Sequence, residues 1–334
     1  MKTKMIALSI AVIFALIGCM PTPSLNRISM GMVADVGGIK DQSFNQSAWE
    51  GLQKAGAEFQ MDISYVEAKK ESDYQKNIQS LIDSDQDLIW GIGFKMQEDI
   101  RQAAIDNPNR SFALIDHDYG EDSVDNLLGV VFKAEEASYL MGVIAAKMTK
   151  TKKVGFVGGM DVPAIHRFLF GFLKGIEDTD CAVELRIDYT DAFDSPEKGK
   201  ESAHKLYREG VDLIFHAAGD TGNGVIEAAK ESDKMVIGVD KDQYALAPDH
   251  VISSAVKRID LAMYEVAKEL GQGNFEGGRT LILGLKESGV DIAQSTSKHV
   301  PADVLQYVQE RRQQIIDGEI KVPASEEEYR NAKN

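Results

Sequence analysis

Short apolar runs alternate along the chain with longer segments whose apolar residues recur every three or four positions. Strands are predicted at residues 28–34, 63–67, 87–92 and 111–115, with amphipathic helices at 44–59, 74–83 and 96–106 between them. Repetition of this βα unit predicts a parallel sheet with helices on both faces, because each parallel connection must cross over the sheet. A helix at 134–148, with Ala137, Leu140, Met141, Ile144, Ala145 and Met148 at helical spacing, opens a second series. Its strands are predicted at 153–157, 183–189, 211–216 and 235–239, and its helices at 164–177, 197–208 and 223–231. Two α/β lobes are the architecture this pattern predicts.

Beyond residue 250 the pattern predicts strands at 251–256 and 281–284 and helices at 259–270 and 302–316. The expected division gives 27–132 and 251–285 to the first lobe and 133–250 to the second, with the helix 301–317 unassigned. A tail returning to the first lobe places a cleft between the lobes. Two unlinked domains are the other arrangement compatible with the pattern.

The first residues have a different character. Lys2 and Lys4 precede an apolar stretch that ends in Leu16, Ile17, Gly18 and Cys19. A basic start, a short apolar core and a small residue before the break form a secretory leader. The run falls short of the roughly 20 residues that span a bilayer, and Pro21 and Pro23 prevent its continuation as a helix. Residues 1–18 are thus expected to be a lipoprotein signal peptide, Cys19 the lipidated residue and 19–26 a tether. The chain is expected in the cell envelope, held by its lipid and facing the periplasm or the exterior.

Composition narrows the function classes. Among 334 residues, 37 Lys and Arg against 53 Asp and Glu leave a net charge of −16. Without a basic block this argues against nucleic-acid partners, whose phosphates need clustered cations. Cys19 and Cys181 are the two cysteines, too few for a disulfide framework once Cys19 is lipidated.

Polar residues at strand ends are the candidate site. Ligands of open α/β sheets bind beyond the carboxyl ends of the strands, and Asp35, Asp116 and Asp240 each come directly after an apolar strand. Any one alone reads equally as a cap or turn carboxylate. Recurrence at one architectural position points to shared acceptance of hydroxyl or N–H donors, as sugars and nucleosides offer. The loop 35–43 opens a helix with Asp41 or Ser43 available as cap, and Phe44 there either anchors the loop or faces the cleft. A glycine-containing loop, 219–224, opens another helix and reads as a tight turn or an anion site. His216, at a strand end near it, faces the cleft or serves the core.

Catalytic signatures are missing: no His-Glu-x-x-His, Cys-x-x-Cys or Gly-x-Ser-x-Gly occurs, and the histidines lack metal-ligand spacing. The expectation is a binding protein rather than an enzyme, without cofactor or metal. Paired aspartates leave acid–base chemistry, such as nucleoside cleavage, as an alternative. A surface adhesin of the same fold is another.

One long stretch carries a recognisable likeness. Residues 33–51 (VADVGGIKDQSFNQSAWEG) resemble the opening motif of the basic membrane protein family of bacterial lipoproteins, which includes a purine nucleoside receptor. The likeness continues at 112–116 (FALID), 155–159 (GFVGG), 193–199 (FDSPEKG), 217–224 (AAGDTGNG), 237–244 (IGVDKDQY) and 256–260 (VKRID). The resemblance implies a periplasmic-binding-protein fold of type I, with two Rossmann-like lobes, a hinge and an interlobe ligand cleft. It further implies a purine nucleoside of the inosine, guanosine and adenosine class, and an ABC transporter permease as partner. By motif position, Asp35 and Asn45 would form the first-lobe wall, Phe44 and Phe193 would stack on the base, and Asp116 would meet the base edge. Asp240 and Lys257 would hold the ribose hydroxyls, and Gly219 would allow close backbone approach. Asp220, where paired glycines are common, and His117, where a small residue is usual, depart from the family pattern.

Overall fold

The structure, a computed structural model, describes residues 27–180 and 182–332. The expected signal peptide 1–18, the lipidation site Cys19, the tether 19–26 and Cys181 lie outside the described residues.

The first series is β1 (Ser29–Ala34), α1 (Phe44–Phe59), β2 (Asp62–Glu67), α2 (Tyr74–Asp83), β3 (Leu88–Ile92), α3 (Gln97–Asp106), β4 (Ser111–Ile115) and β5 (Leu127–Phe132). The second is α4 (Ala134–Met148), β6 (Lys153–Gly158), α5 (Pro163–Thr179), β7 (Glu184–Tyr189), α6 (Pro196–Arg208), β8 (Leu213–Ala217), α7 (Thr221–Ser232), β9 (Met235–Asp240) and β10 (Val251–Lys257). Then come α8 (Ile259–Gly271), β11 (Arg279–Leu283), β12 (Val290–Ile292), α9 (Ala302–Ile316) and α10 (Glu326–Asn331). β5 and β12 have no counterpart among the strands predicted from the pattern. β5 runs almost directly into α4, with only Lys133 between them, and β12 is only three residues long.

The strands form two sheets of like topology, β11-β5-β4-β3-β1-β2 and β12-β10-β9-β8-β6-β7. The first is wholly parallel. In the second only β12 runs antiparallel, against β10. Repeated topology makes β4 and β9 equivalent positions. The chain crosses between sheets three times, from β5 to β6, from β10 to β11 and from β11 to β12.

These crossings correct the expected division. β10, expected in the first lobe, pairs with β9 in the second sheet, Ser254 lying beside Gly238 and Ala255 beside Val239. Its buried Ser253 and Ser254 meet Thr296 and Gln243 there. The crossing comes one strand later than expected, because apolar periodicity marks a buried strand without naming its neighbour. α8 does return to the first lobe: a Cβ on Gly51 of α1 would stand 2.4 Å from the Asp260 carbonyl oxygen. α9 stays with the second lobe, where Lys147 of α4 lies 4.9 Å from the Tyr307 ring centroid and Arg312 holds Asp291 of β12.

α4 is buried on nearly every side by the second sheet, α5 and α9. Its contact with α5 is backbone on backbone. A Cβ on Gly175 would come within 2.0 Å of the Tyr139 carbonyl oxygen, and one on Gly142 within 2.2 Å of that of Phe172.

Candidate functional site

The carboxyl ends of both sheets open onto one cleft, which is lined by all of Asp35, Phe44, Asn45, Asp116, Phe193, Gly219, Asp240 and Lys257. Parallel strands explain the convergence, since all the parallel strands of a sheet end on the same side of it. Asp116 after β4 and Asp240 ending β9 occupy equivalent positions, and both have left-handed backbones, φ +69° and +62°. Aspartate tolerates that conformation better than most side chains. Each carboxylate is thereby placed at an abrupt turn out of its strand.

A single lysine serves both. Lys257 Nζ donates to Asp116 Oδ2 at 2.5 Å, and its side chain is only 4% exposed. Its charge favours the ionised form of Asp240, but burial wins and pushes the Asp240 carboxyl up to about 6, with the neighbouring Asp41 and Asp116 adding to the rise. Phe44, Phe132 and Phe168 surround the ammonium at 4.7, 5.3 and 5.9 Å from their ring centroids. Asp240 Oδ2 also accepts from Ser43 Oγ at 2.5 Å, a bond between the lobes.

Ser43 therefore does not cap α1. Asp41 does, accepting the amides of Ser43, Asn45 and Gln46 at 2.8–3.0 Å, and burial raises its carboxyl. Asn45 ties this loop together: its Oδ1 accepts the Asp35 amide at 2.9 Å while its Nδ2 donates to Asp41 Oδ2 at 3.0 Å. Asp35 is buried, which raises its carboxyl, and its Oδ1 accepts from the Tyr74 hydroxyl and, at 2.7 Å, from the Val36 amide.

On the second lobe the ring of Phe193 lies against Gly159, where a Cβ would come within 2.2 Å of Cε1. Gly219 has φ +56°, and a Cβ there would be 3.1 Å from the Phe193 carbonyl oxygen. The close approach expected of Gly219 is thus to the Phe193 segment. Lys95 of the first lobe reaches across to within 5.5 Å of the Phe193 ring centroid. Further bonds join the lobes around the cleft: Asn223 Nδ2 to the Asp41 carbonyl at 3.0 Å, Gln243 Nε2 to that of Gln42 at 3.2 Å, and Lys241 to Glu50 at 2.5 Å.

Comparison with known proteins places this geometry. The family model described as ABC transporter substrate-binding protein PnrA-like (Bmp) matches residues 28–326. The chain belongs to the basic membrane protein, PnrA-like family. It is 39% identical to a CD4+ T-cell-stimulating antigen of Listeria monocytogenes, over 90% of this chain and 89% of that one. It is 33% identical to an ABC transporter nucleoside-binding protein BmpA of Lactococcus lactis, over 97% and 100%. Among solved structures, an ABC transporter solute-binding protein from Aeropyrum pernix superposes with a TM-score of 0.83 at 30% identity, covering 91% of this chain and 96% of that one. The fold is that of type I periplasmic binding proteins, in a family of substrate-binding proteins rather than enzymes.

Both departures from the Bmp-family pattern fall outside the cleft lining. His117 packs edge-on against Tyr119, 4.5 Å between ring centroids, where burial lowers its pKa. Asp220 accepts from Asn223 Nδ2 at 2.7 Å. The glycine loop is a turn: the amides of Thr221, Gly222 and Asn223 already donate to the carbonyls of Phe193, Gly219 and Asp220. His216 is fully buried against Gln243 Oε1 at 3.0 Å, and burial pushes it down to about 4, so it serves the core as a neutral ring. Sequence reasoning missed Ser43 as an interlobe donor, and it missed Lys95, Phe168 and Tyr74 altogether. Only Ser43, at a helix start within the 33–51 motif, carried a local signal. No helix among the described residues is long and apolar enough to cross a membrane, and no cluster of three or more His, Cys, Asp or Glu among them could hold a metal.

Proposed function

We propose that this Bmp-family protein, anchored by lipid at Cys19, captures a purine nucleoside between its lobes and delivers it to an ABC transporter permease. The observation that carries this reading is the cluster of Asp116, Lys257 and Asp240 beside the face of Phe44. A ribose diol offers two hydroxyls that both donate and accept, and two carboxylates flanking an ammonium match that need. Phe44 and Phe193, one from each lobe, supply flat apolar faces for the base. The Lactococcus relative's name as a nucleoside-binding protein supports the same ligand class.

We place Asp116 at the ribose end, rather than at the base edge that its motif position implied. Its ion pair with Lys257 groups it with the ribose-holding residues, so Asp35 is left for the base edge. The charges around the two ends are distinct: Asp240 responds to Lys257, Asp41 and Asp116, whereas Asp35 responds to Lys95 and Glu71. Ligand contacts from both lobes would favour closure about the three crossings, the state a permease can distinguish from an open one.

Calorimetry on the soluble protein beginning after Cys19, with inosine, guanosine and adenosine, tests the reading. Saturable binding with intact nucleoside recovered is expected, whereas absence of binding, or release of free base, overturns it. Phe44→Leu, which keeps bulk and removes the π face, should weaken binding by roughly 10- to 100-fold, from about 1–3 kcal/mol of stacking. Unchanged affinity would remove Phe44 from the base site.

Acidification should weaken binding as well. Asp240 has a folded pKa of about 6, raised above the roughly 3.9 of an unfolded aspartate. Between those values the folded protein keeps a proton that the unfolded chain has released, so this group's contribution to stability falls as pH rises from about 4 to about 6. Affinity runs the other way, since the ionised carboxylate is the better acceptor. A titration series from pH 7.5 to 5 should show nucleoside affinity falling below about 6, and a flat profile would exclude Asp240 as a charged contact.

A further inference from the structure

We propose that Tyr74, which does not line the cleft, sets the base preference of the site by holding Asp35 Oδ1 and leaving Oδ2 as an acceptor for a ligand N–H. This rests on the nucleoside reading and on Asp35 facing the base edge.

Tyr74 begins α2 and is 2% exposed, within a buried apolar cluster that also includes Val33, Ile78 and Ile89. Its hydroxyl donates to Asp35 Oδ1, which also accepts the Val36 amide. That oxygen is saturated. Among the described residues no group donates to Oδ2. Oδ2 instead lies beside Gly93: a Cβ on that glycine would stand 3.4 Å from Oδ2 and 3.7 Å from Phe44 Cε1. Gly93 thus leaves open a space that touches both the edge of the Phe44 ring and the free oxygen. A base stacked on Phe44 would present its edge there.

A base bound there strips solvent from this oxygen, and an N–H of the ligand offsets that desolvation cost. A 6-oxopurine such as hypoxanthine has an N1–H to offer. Unsubstituted purine has only a lone pair at N1, which repels the ionised oxygen and is accepted once Oδ2 carries a proton. Ligand choice therefore depends on the charge of Asp35. Four charged or titratable groups bear on that charge. The Tyr74 hydroxyl and Lys95 favour the ionised form, Glu71 opposes it, and Asp194 of the second lobe acts on Tyr74. Burial and these carboxylates raise the Tyr74 hydroxyl's own pKa, so it remains a donor throughout the accessible range. Lys95 is paired with the exposed Glu71 at 2.7 Å, which tempers its effect.

The test compares inosine with purine riboside, which share the ribose and differ at the base edge. Their affinity ratio cancels the common titration of Asp240. The wild-type protein should prefer inosine by at least about tenfold at pH 7.5, with the ratio declining as Asp35 takes up a proton. Tyr74→Phe, which keeps the ring, should reduce the ratio several-fold and move its midpoint to higher pH. Glu71→Gln, at the surface, frees Lys95 and should move the midpoint to lower pH. Equal weakening of both ligands with an unmoved midpoint would assign Tyr74 a merely structural part and overturn the proposal while leaving the nucleoside reading intact. If neither ribonucleoside binds the wild-type protein, the reading itself fails and the proposal with it.

Discussion

Replacing Lys257 with methionine should lower folding stability near neutral pH by about 3 kcal/mol or more, and reduce nucleoside affinity by more than about 100-fold. Methionine keeps most of the stem and removes the charge. The ammonium is almost wholly enclosed, bonded to Asp116, and is the main cation near Asp240. Its loss leaves two carboxylates facing one cleft with no cation between them. Breaking a buried pair from one side is costly because the remaining charge is neither solvated nor compensated. The carboxyls can escape by taking up protons, so the stability deficit should shrink as the pH is lowered. Urea unfolding of both proteins at pH 7.5 and pH 5 measures this. An equal deficit at both values would mean that Lys257 acts through packing alone.

The second large effect lies far from ligand chemistry. Gly175→Val should cost about 3 kcal/mol, at the upper end of overpacking penalties. Glycine within a helix is unfavourable relative to alanine by about 1 kcal/mol, so its place in the middle of α5 needs a packing reason. The geometry supplies it: the α4 backbone passes where a side chain would stand, and Gly171 and Gly142 repeat the arrangement, with Cβ positions 2.3 Å from the Glu135 oxygen and 2.2 Å from the Phe172 oxygen. Valine can be admitted only by separating the helices, and α4 is held from the other side by the second sheet and α9. Denaturant midpoints of the variant and wild type decide the matter. A midpoint left in place would show that the helices part without cost.

Local pattern was a good guide wherever one side chain's surroundings depend on its near neighbours. The predicted helices 44–59, 74–83, 134–148 and 302–316 coincide with α1, α2, α4 and α9, because an apolar stripe at helical spacing records the face turned to the core. The strand-end aspartates also converge as their positions suggested, since parallel strands deliver their ends to one side. Pattern was a poor guide to β10, whose apolar run suits either sheet. It was equally silent on Tyr74, which reads as an ordinary core aromatic until its hydroxyl is seen on Asp35.

By itself the sequence determined two α/β lobes, the aspartates that end their strands and, through its long motifs, the family. Only the tertiary structure decided that β10 belongs to the second sheet, that Lys257 pairs with Asp116, and that Ser43 reaches Asp240 instead of capping its own helix. The physical reason is distance along the chain. These bonds join residues 141 and 197 positions apart. Periodicity reports which face of an element is buried, whereas the partner it meets is set by how two separately closed sheets are brought together.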